Sequence, residues 1–100
     1  MKNTRAKGMR NERRAALLLM QTGYKVFRLY QTRGTEQGEL DMIAIGHGRV
    51  RFVQVRSNQW HDLRPLKVFA ALYCQGTLMP TAEVWLYKDR EAEPTQRILE

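Results

Sequence analysis

Cysteine is almost missing from this chain. Cys74 is the single cysteine among 100 residues, so no disulfide can form within one chain and no cysteine-based zinc site is available. Long apolar runs are also missing, because the longest ones, 15–20 and 68–74, fall well short of the roughly 20 residues that cross a membrane. The basic N-terminus leads into a helix pattern without a signal-peptide cleavage site. We therefore expect a cytoplasmic protein with no membrane partner.

Acidic residues are scarce relative to basic ones. The chain has 10 Asp and Glu against 17 Lys and Arg, which gives a formal net charge of +7 and a pI near 10.1. This balance favours a polyanionic partner such as nucleic acid, and the planar guanidinium of arginine suits phosphate particularly well. A ribosome-like basic protein, or charge that serves solubility alone, would have the same composition.

Glycine and proline are few, at 7 and 3 residues, while 43% of the chain is hydrophobic, so a disordered chain is excluded in favour of a folded one. A length of 100 residues suits one domain with one modest core. We predict a single domain over residues 1–100, with its core at about 8–88, a basic tail at 1–8 and a charged tail at 89–100.

Hydrophobic periodicity and turn residues predict six secondary-structure elements. The predicted helices are Met9–Thr22 and Leu63–Gln75, and the predicted strands are Tyr24–Tyr30, Glu39–Ile45, Arg49–Arg56 and Ala82–Lys88. The first three strands should form an antiparallel meander, and the helix before the last strand should make that strand a parallel neighbour of the third. The predicted fold class is α/β, a mixed sheet flanked by helices in the order αβββαβ.

Polar residues gather on one face of the predicted central hairpin. If residues 47–48 form a two-residue turn, Asp41 lies directly opposite Gln54, and strand alternation adds Glu39 and Arg56 to the same face. Burying such groups without partners costs roughly 1–3 kcal/mol each, and more for ions. A bound divalent cation would satisfy them, and the alternative is a salt bridge between Asp41 and Arg56 at the sheet edge.

Oxygen atoms are the ligands that such a cation takes in proteins. Asp41 offers a carboxylate, Gln54 an amide oxygen and Val55 a backbone carbonyl, and Glu39 could add a second carboxylate directly or through water. His47 and His61 are not paired at a ligand spacing, so we interpret them as turn and loop residues.

Glu12 lies at the edge of the apolar stripe of the first predicted helix, where a solvated glutamate is unusual. It could contribute to the same metal site. The alternative is that Glu12 pairs with an arginine, such as Arg28 or Arg56.

These residues resemble the PD-(D/E)XK nuclease superfamily, and within it the small Holliday junction resolvases of archaea and their viruses. In that family a glutamate of the first helix, an aspartate of the second strand, and an acidic residue and a lysine of the third strand surround the metal. Glu12 in Gly-Met-Arg-Asn-Glu, Asp41 in Gly-Glu-Leu-Asp, and the triplet 54–56 fall at those places, within a similarity that covers about residues 8–88. The triplet departs from the family, because glutamine and arginine stand where glutamate and lysine are usual.

The resemblance implies a restriction-endonuclease-like fold and an endonuclease that depends on Mg²⁺ or Mn²⁺. Its substrate would be four-way DNA junctions, its role recombination and repair, and its active form a homodimer, in the host-cell cytoplasm if the source is viral. The implied catalytic residues are Glu12, Asp41, Gln54 and Arg56. Two alternatives stay open: a repair or restriction-type nuclease on other DNA, and a basic DNA-binding module with a degenerate nuclease site.

Further polar residues are candidates for contacts with the DNA backbone. Phosphate contacts fix the position of a protein on DNA and do not read its sequence. The predicted DNA-binding residues are Lys2, Arg5, Lys7, Arg10, Arg13, Arg14, Thr32, Arg33, Thr35 and Ser57.

Overall fold

The chain forms a five-stranded mixed sheet with one helix on each side. The computed structural model describes residues 4–29, 40–60, 62–74 and 80–99, with side chains of the first helix described from residue 8 onward. The elements are α1 (Thr4–Gln21), β1 (Lys25–Arg28), β2 (Met42–Gly46), β3 (Arg49–Ser57), α2 (Arg64–Tyr73), β4 (Pro80–Tyr87) and β5 (Thr95–Leu99).

The hairpin of β2 and β3 has the predicted two-residue turn. His47 and Gly48 both have positive φ, 52° and 71°, which is the conformation of a type I′ turn. Gly46 then pairs with Arg49, as predicted, and the register continues without a break to the pair of Met42 and Val53.

The strands lie in the order β1-β2-β3-β4-β5. The meander of β1, β2 and β3 is antiparallel, and β4 runs parallel to β3 after the crossover through α2. The α/β class and the mixed sheet were therefore predicted correctly.

Helix α1 covers one side of the sheet. Its apolar residues at 15, 16 and 19 pack on Met42 and Ala44 of β2 and on Val53 and Val55 of β3. These four strand residues are 7% exposed or less, so alternation along each strand turns their neighbours to the other side.

Helix α2 covers the second side of the sheet. Leu66 and Ala70 are buried against Val84 of β4 and Leu99 of β5, and Phe52 of β3 packs against the same cluster. Pro65 stands in the first turn of α2, where a missing N–H costs no helical hydrogen bond.

Both segments that were predicted as tails contain regular secondary structure. Residues 89–100 were predicted as a charged tail outside the core, but Thr95–Leu99 pairs with β4 and its Leu99 is 5% exposed. The basic tail at 1–8 was also wrong in part, since α1 begins at Thr4. No helix among the described ranges is long and apolar enough to cross a membrane.

Candidate functional site

The hairpin changes its pairing where β2 begins. Met42 is the Cα partner of Val53, yet the N–H of Asp41 also donates to the carbonyl oxygen of Val53, at 3.0 Å. Two residues of one strand therefore stand opposite one residue of the other, as in a β-bulge. The prediction that Asp41 lies directly opposite Gln54 was wrong by this one residue.

The bulge brings the Asp41 side chain to the backbone of β3. Its Oδ2 accepts a hydrogen bond of 2.6 Å from the N–H of Val55, and the carbonyl of Asp41 accepts one from Leu29. Because N–H groups point along the sheet, the carboxylate lies near the plane of the sheet and not above one face. Asp41 is partly exposed, so solvent or a ligand can reach this end of the hairpin.

Gln54 and Arg56 leave β3 on the side that faces α2. Gln54 pairs with Val84, a residue of the α2 core, and is 0% exposed. Arg56 is partly exposed, and its Nη1 donates to the carbonyl oxygen of Val55 at 3.3 Å. Of this triplet, Val55 is therefore the residue that contacts the Asp41 carboxylate, and Gln54 and Arg56 are its neighbours along β3.

Glu12 lies on the α1 side of the sheet and contacts Arg28. Its Oε1 is 3.6 Å from the Arg28 Nη2, with side-chain exposures of 27% and 20%. This is the arginine pairing that the sequence left open. The sheet lies between Glu12 and the side chain of Gln54, so the structure does not bring these two predicted ligands together.

The structure also shows a network of hydrogen-bonded side chains that the sequence analysis missed. Asn11, only 4% exposed, donates through Nδ2 to the Oγ of Ser57 at 2.6 Å and accepts a bond of 3.1 Å from Arg14. Asn11 lies four residues before the buried Ala15 in α1, and residues four apart share one face of a helix. This spacing could have placed Asn11 on the buried face. This hydrogen-bond network joins α1, beside Glu12, to the end of β3.

Arg14 extends the hydrogen-bond network to the connection between β4 and β5. Its Nη2 donates to the carbonyl oxygens of Glu91 and Ala92 at 3.0 and 2.8 Å, and its guanidinium lies 4.4 Å from the ring centroid of Tyr87. Burial raises the pKa of Tyr87, and the charge of Arg14 opposes that rise. These contacts engage Arg14 inside the protein, which disfavours its predicted role at DNA.

We expect Asn11→Ala to lower the free energy of unfolding by about 1–3 kcal/mol, because it leaves the Ser57 hydroxyl and the Arg14 guanidinium without their shared partner. Urea denaturation of Asn11→Ala, Ser57→Ala and the double variant measures this. The two losses should be less than additive, since both remove the same bond. Full additivity would show that the bond of 2.6 Å does not stabilise the protein.

Two of the predicted DNA contacts remain accessible. Arg10 and Arg13 are exposed on α1. Ser57, by contrast, accepts the bond from Asn11. Arg5 and Lys7 lie in the backbone of α1 with side chains that are not described, and the other predicted residues lie outside the described residues: Lys2, Thr32, Arg33, Thr35, Glu39 and His61.

The donor atoms at this end of the hairpin suit a hard cation. Asp41 offers a carboxylate, Val55 a carbonyl and Gln54 an amide oxygen, and Mg²⁺ needs only one or two protein carboxylates because it keeps several waters. Within 4–29, 40–60, 62–74 and 80–99, no group of three His, Cys, Asp or Glu side chains could hold a metal. The residues fit Mg²⁺ only if the amide and carbonyl oxygens contribute.

Comparison with solved structures shows a likeness in fold. The chain is similar in fold to Hjc, a Holliday junction resolvase from the archaeal hyperthermophile Archaeoglobus fulgidus. The TM-score is 0.61 at 19% sequence identity, over 93% of this chain and 71% of that one. No family model and no curated protein matches this chain. At this identity the likeness establishes the fold, which is the one that the sequence predicted.

Proposed function

We propose that this chain is a metal-dependent endonuclease that hydrolyses phosphodiester bonds at four-way DNA junctions. The observation that carries the proposal is the Asp41 carboxylate, held 2.6 Å from the Val55 N–H beside Gln54 and Arg56. The net charge of +7 and a fold shared with a Holliday junction resolvase support the same substrate. Recombination and repair of DNA in the cytoplasm would be its role.

Asp41, with the oxygens of Val55 and Gln54, would hold Mg²⁺ or Mn²⁺. When bound, the ion supplies an acidified water and draws negative charge from the scissile phosphate. Glu39 and Glu12 remain candidates for a contribution through water, although Glu12 would first have to leave Arg28.

Arg56 has a different part in this proposal from the lysine that is usual in the family. A guanidinium stays protonated at any working pH, so Arg56 orients a phosphate or water and stabilises negative charge but accepts no proton. Arg10 and Arg13, exposed on α1, bind backbone phosphates nearby.

A homodimer is part of the proposal, because symmetric cleavage of a four-way junction needs two active sites. Helix α2 offers a surface for the second copy: Leu72 and Tyr73 are 66% and 62% exposed. Two large aromatic residues are not available for such a surface: Phe69 packs on Phe52 with ring centroids 5.0 Å apart, and Trp85 is buried at 1% exposure. Both therefore serve the core of their own chain.

A non-catalytic DNA-binding module is the second candidate. Two observations favour it: Glu12 already contacts Arg28, and Gln54 is completely buried, so neither predicted ligand is free to meet a metal ion from solvent.

A cleavage assay separates these functions. A labelled four-way junction and a linear duplex of the same sequence are incubated with Mg²⁺, Mn²⁺ or a chelator. Paired symmetric nicks near the crossover, lost with chelator, are expected. Cleavage of the linear duplex at the same rate would instead indicate a nuclease for other DNA. Binding with no metal-dependent cleavage would replace the proposal by the DNA-binding module.

We expect Gln54→Glu and Arg56→Lys to retain cleavage or raise it, by up to about tenfold, about 1.4 kcal/mol in the barrier. The first change adds a charged metal ligand, and the second adds a group that can lose a proton. Without metal, Gln54→Glu should lower the Tm, because position 54 is 0% exposed and burying a carboxylate there is costly.

Added Mg²⁺ should therefore raise the Tm of the Gln54→Glu variant more than that of the unmodified chain. An equal response of both proteins would remove residue 54 from the metal site. Arg90→Lys serves as the control for Arg56→Lys, since it makes the same exchange at an exposed position outside the proposed site.

A further inference from the structure

A cavity of about 480 Å³ lies at the turn end of the hairpin, away from the end where Asp41 lies. It is bounded by the C-terminal end of α1, the turn at residues 47–48 and the connection between β4 and β5. Its volume falls within the range of small-molecule sites, about 300–1,000 Å³. None of the residues of the proposed nuclease site lines it.

Arg51 lines the cavity, and its charge is already matched by Glu83 behind it. Arg51 donates through Nε and Nη2 to both carboxylate oxygens of Glu83, at 2.8 and 2.7 Å. Glu83 also accepts bonds from the Thr81 hydroxyl and the Trp85 indole, at 2.6 and 3.1 Å. A phosphate entering the cavity would therefore have to compete with Glu83 for the Arg51 guanidinium.

Flat surfaces surround the guanidinium. The Cζ of Arg51 lies 5.0 Å from the ring centroid of Tyr24 and 5.5 Å from that of Trp85. Leu18 and Pro94 add apolar sides. Aromatic rings and arginine planes are the surfaces on which nucleobases stack, at about 1–3 kcal/mol per base.

The rim carries both donors and acceptors. His47 holds its Nε2 2.7 Å from the carbonyl oxygen of Thr22, so that nitrogen donates and Nδ1 remains for a ligand. Glu93 offers a carboxylate, and Gln96 offers its amide N–H₂ group while its Oε1 accepts from Arg51 at 3.3 Å.

The charges around the cavity select against an anionic ligand. Glu93 at the rim and the carbonyl end of α1 disfavour an anion, because the C-terminus of a helix carries partial negative charge. Arg51 is already paired with Glu83, so it adds no net positive charge that would attract an anion. A neutral, flat ligand with hydrogen-bonding edges satisfies all of these conditions.

We propose that this cavity binds a nucleobase, with its face against the side chains of Leu18, Tyr24 and Pro94 and its edge on Glu93, Gln96 and His47. The base could belong to a free nucleoside or to an unpaired nucleotide of DNA. Assignment to DNA rests on the proposed function, and in that case the exposed Arg49 beside the turn would contact the adjoining phosphate.

Titration with adenosine, guanosine, cytidine and thymidine, followed by ¹H–¹⁵N NMR, tests the ligand class. A Trp60→Phe background leaves Trp85 as the one indole signal. We expect that signal to shift saturably. Combining Glu93→Ala with Gln96→Ala should weaken binding by at least about fivefold, as expected for lost polar contacts, and the exposed Glu91→Ala is the matched control.

Ribose 5-phosphate is the counter-probe, because it carries the sugar and the phosphate without a base. Shifts as large with ribose 5-phosphate as with the nucleosides would overturn the proposal, as would an indole signal that no nucleoside moves. Equal affinity of the double variant and the unmodified chain would also overturn it.

Four-way junctions and single strands that carry 2-aminopurine distinguish the two sources of the base. They are bound in chelator to Asp41→Asn protein, so that cleavage cannot contribute. A fluorescence change that Glu93→Ala and Gln96→Ala remove assigns the cavity to a base of DNA. Nucleoside binding without that change keeps the ligand class and excludes DNA as its source. Because no step needs cleavage, failure of the nuclease proposal would leave these results readable.

Discussion

Replacing Asp41 by asparagine should reduce junction cleavage at least about 100-fold, equivalent to about 2.7 kcal/mol in the activation barrier. The substitution removes the negative charge that a divalent cation requires. It keeps an oxygen that can still accept the hydrogen bond from Val55, so the bulge at the start of β2 should survive. Cleavage of a labelled junction under single-turnover conditions measures the loss.

Junction binding is the readout that separates this effect from misfolding. Affinity measured in chelator should be unchanged or higher for Asp41→Asn, because one acidic group near the DNA is removed. Glu91→Gln is the control, since it removes an exposed carboxylate whose side chain takes no part in the site. An Asp41→Asn protein that cleaves at the unmodified rate would remove Asp41 from the proposed centre.

Asp41→Ala is informative as a companion variant. It removes both the charge and the acceptor for the Val55 N–H, so we expect it to lower stability as well as activity. Loss of cleavage in both variants, with loss of stability only in alanine, would separate the two roles of the carboxylate.

The sequence was sufficient for the hairpin because strong local signals agree there. A glycine that tolerates positive φ follows His47, and two strand patterns flank the turn, so the register from Gly46 to Met42 follows by counting. The β-bulge at Asp41 was not predicted, because one extra residue leaves no mark in composition or periodicity. That residue is nevertheless the one that brings the carboxylate to Val55.

β5 and the Arg51–Glu83 pair were missed for a related reason. Residues 95–99 carry polar side chains at most positions, since this edge strand is buried chiefly at Leu99. Glu83 stands in a strand that is mostly apolar, and its partner Arg51 lies 32 residues earlier on β3. Such pairing depends on the parallel register of β3 and β4, which places Val53 beside Glu83. Periodicity along one segment cannot supply it.

Loss of either partner of the Arg51–Glu83 ion pair should destabilise the fold strongly. We expect Glu83→Gln to lower the free energy of unfolding by about 3–5 kcal/mol, because it leaves a guanidinium that is 12% exposed without its counter-charge. At about 4–8 °C per kcal/mol for a domain of this size, the Tm should fall by more than about 10 °C. Calorimetry measures the change.

The pH dependence of unfolding gives a second readout of the same pair. Burial alone would raise the pKa of Glu83, but hydrogen bonds from Arg51, Thr81 and Trp85 outweigh burial and hold the pKa below its usual value. Stability from a lowered pKa is present above the unfolded value, about 4.3, and is lost as the pH falls through the folded value. The unmodified chain should therefore lose stability below about pH 4 more steeply than Glu83→Gln.

The exposed ion pair of Arg64 and Asp62 is a matched control for the buried pair of Arg51 and Glu83, because the N–O distances are similar. Arg64 donates to Asp62 at 2.9 Å and lowers the pKa of that carboxyl to about 2, but the two side chains are 87% and 52% exposed. Solvent screens such a pair, so Asp62→Asn should leave the Tm nearly unchanged despite the large pKa shift. A large loss in that variant would show that pair geometry, and not burial, sets the stability.

A double-mutant cycle separates two contributions to the loss of stability. One is the attraction between Arg51 and Glu83, and the other is the penalty for the buried group that a single substitution leaves without its counter-charge. Arg51→Met leaves Glu83 buried and forces its carboxyl towards the protonated form, whereas Arg51→Met with Glu83→Leu removes both charges together. We expect the double variant to be more stable than either single one, because each single variant leaves one member of the pair buried without its counter-charge. A double variant that loses the sum of both single effects would mean that the two charges do not stabilise one another.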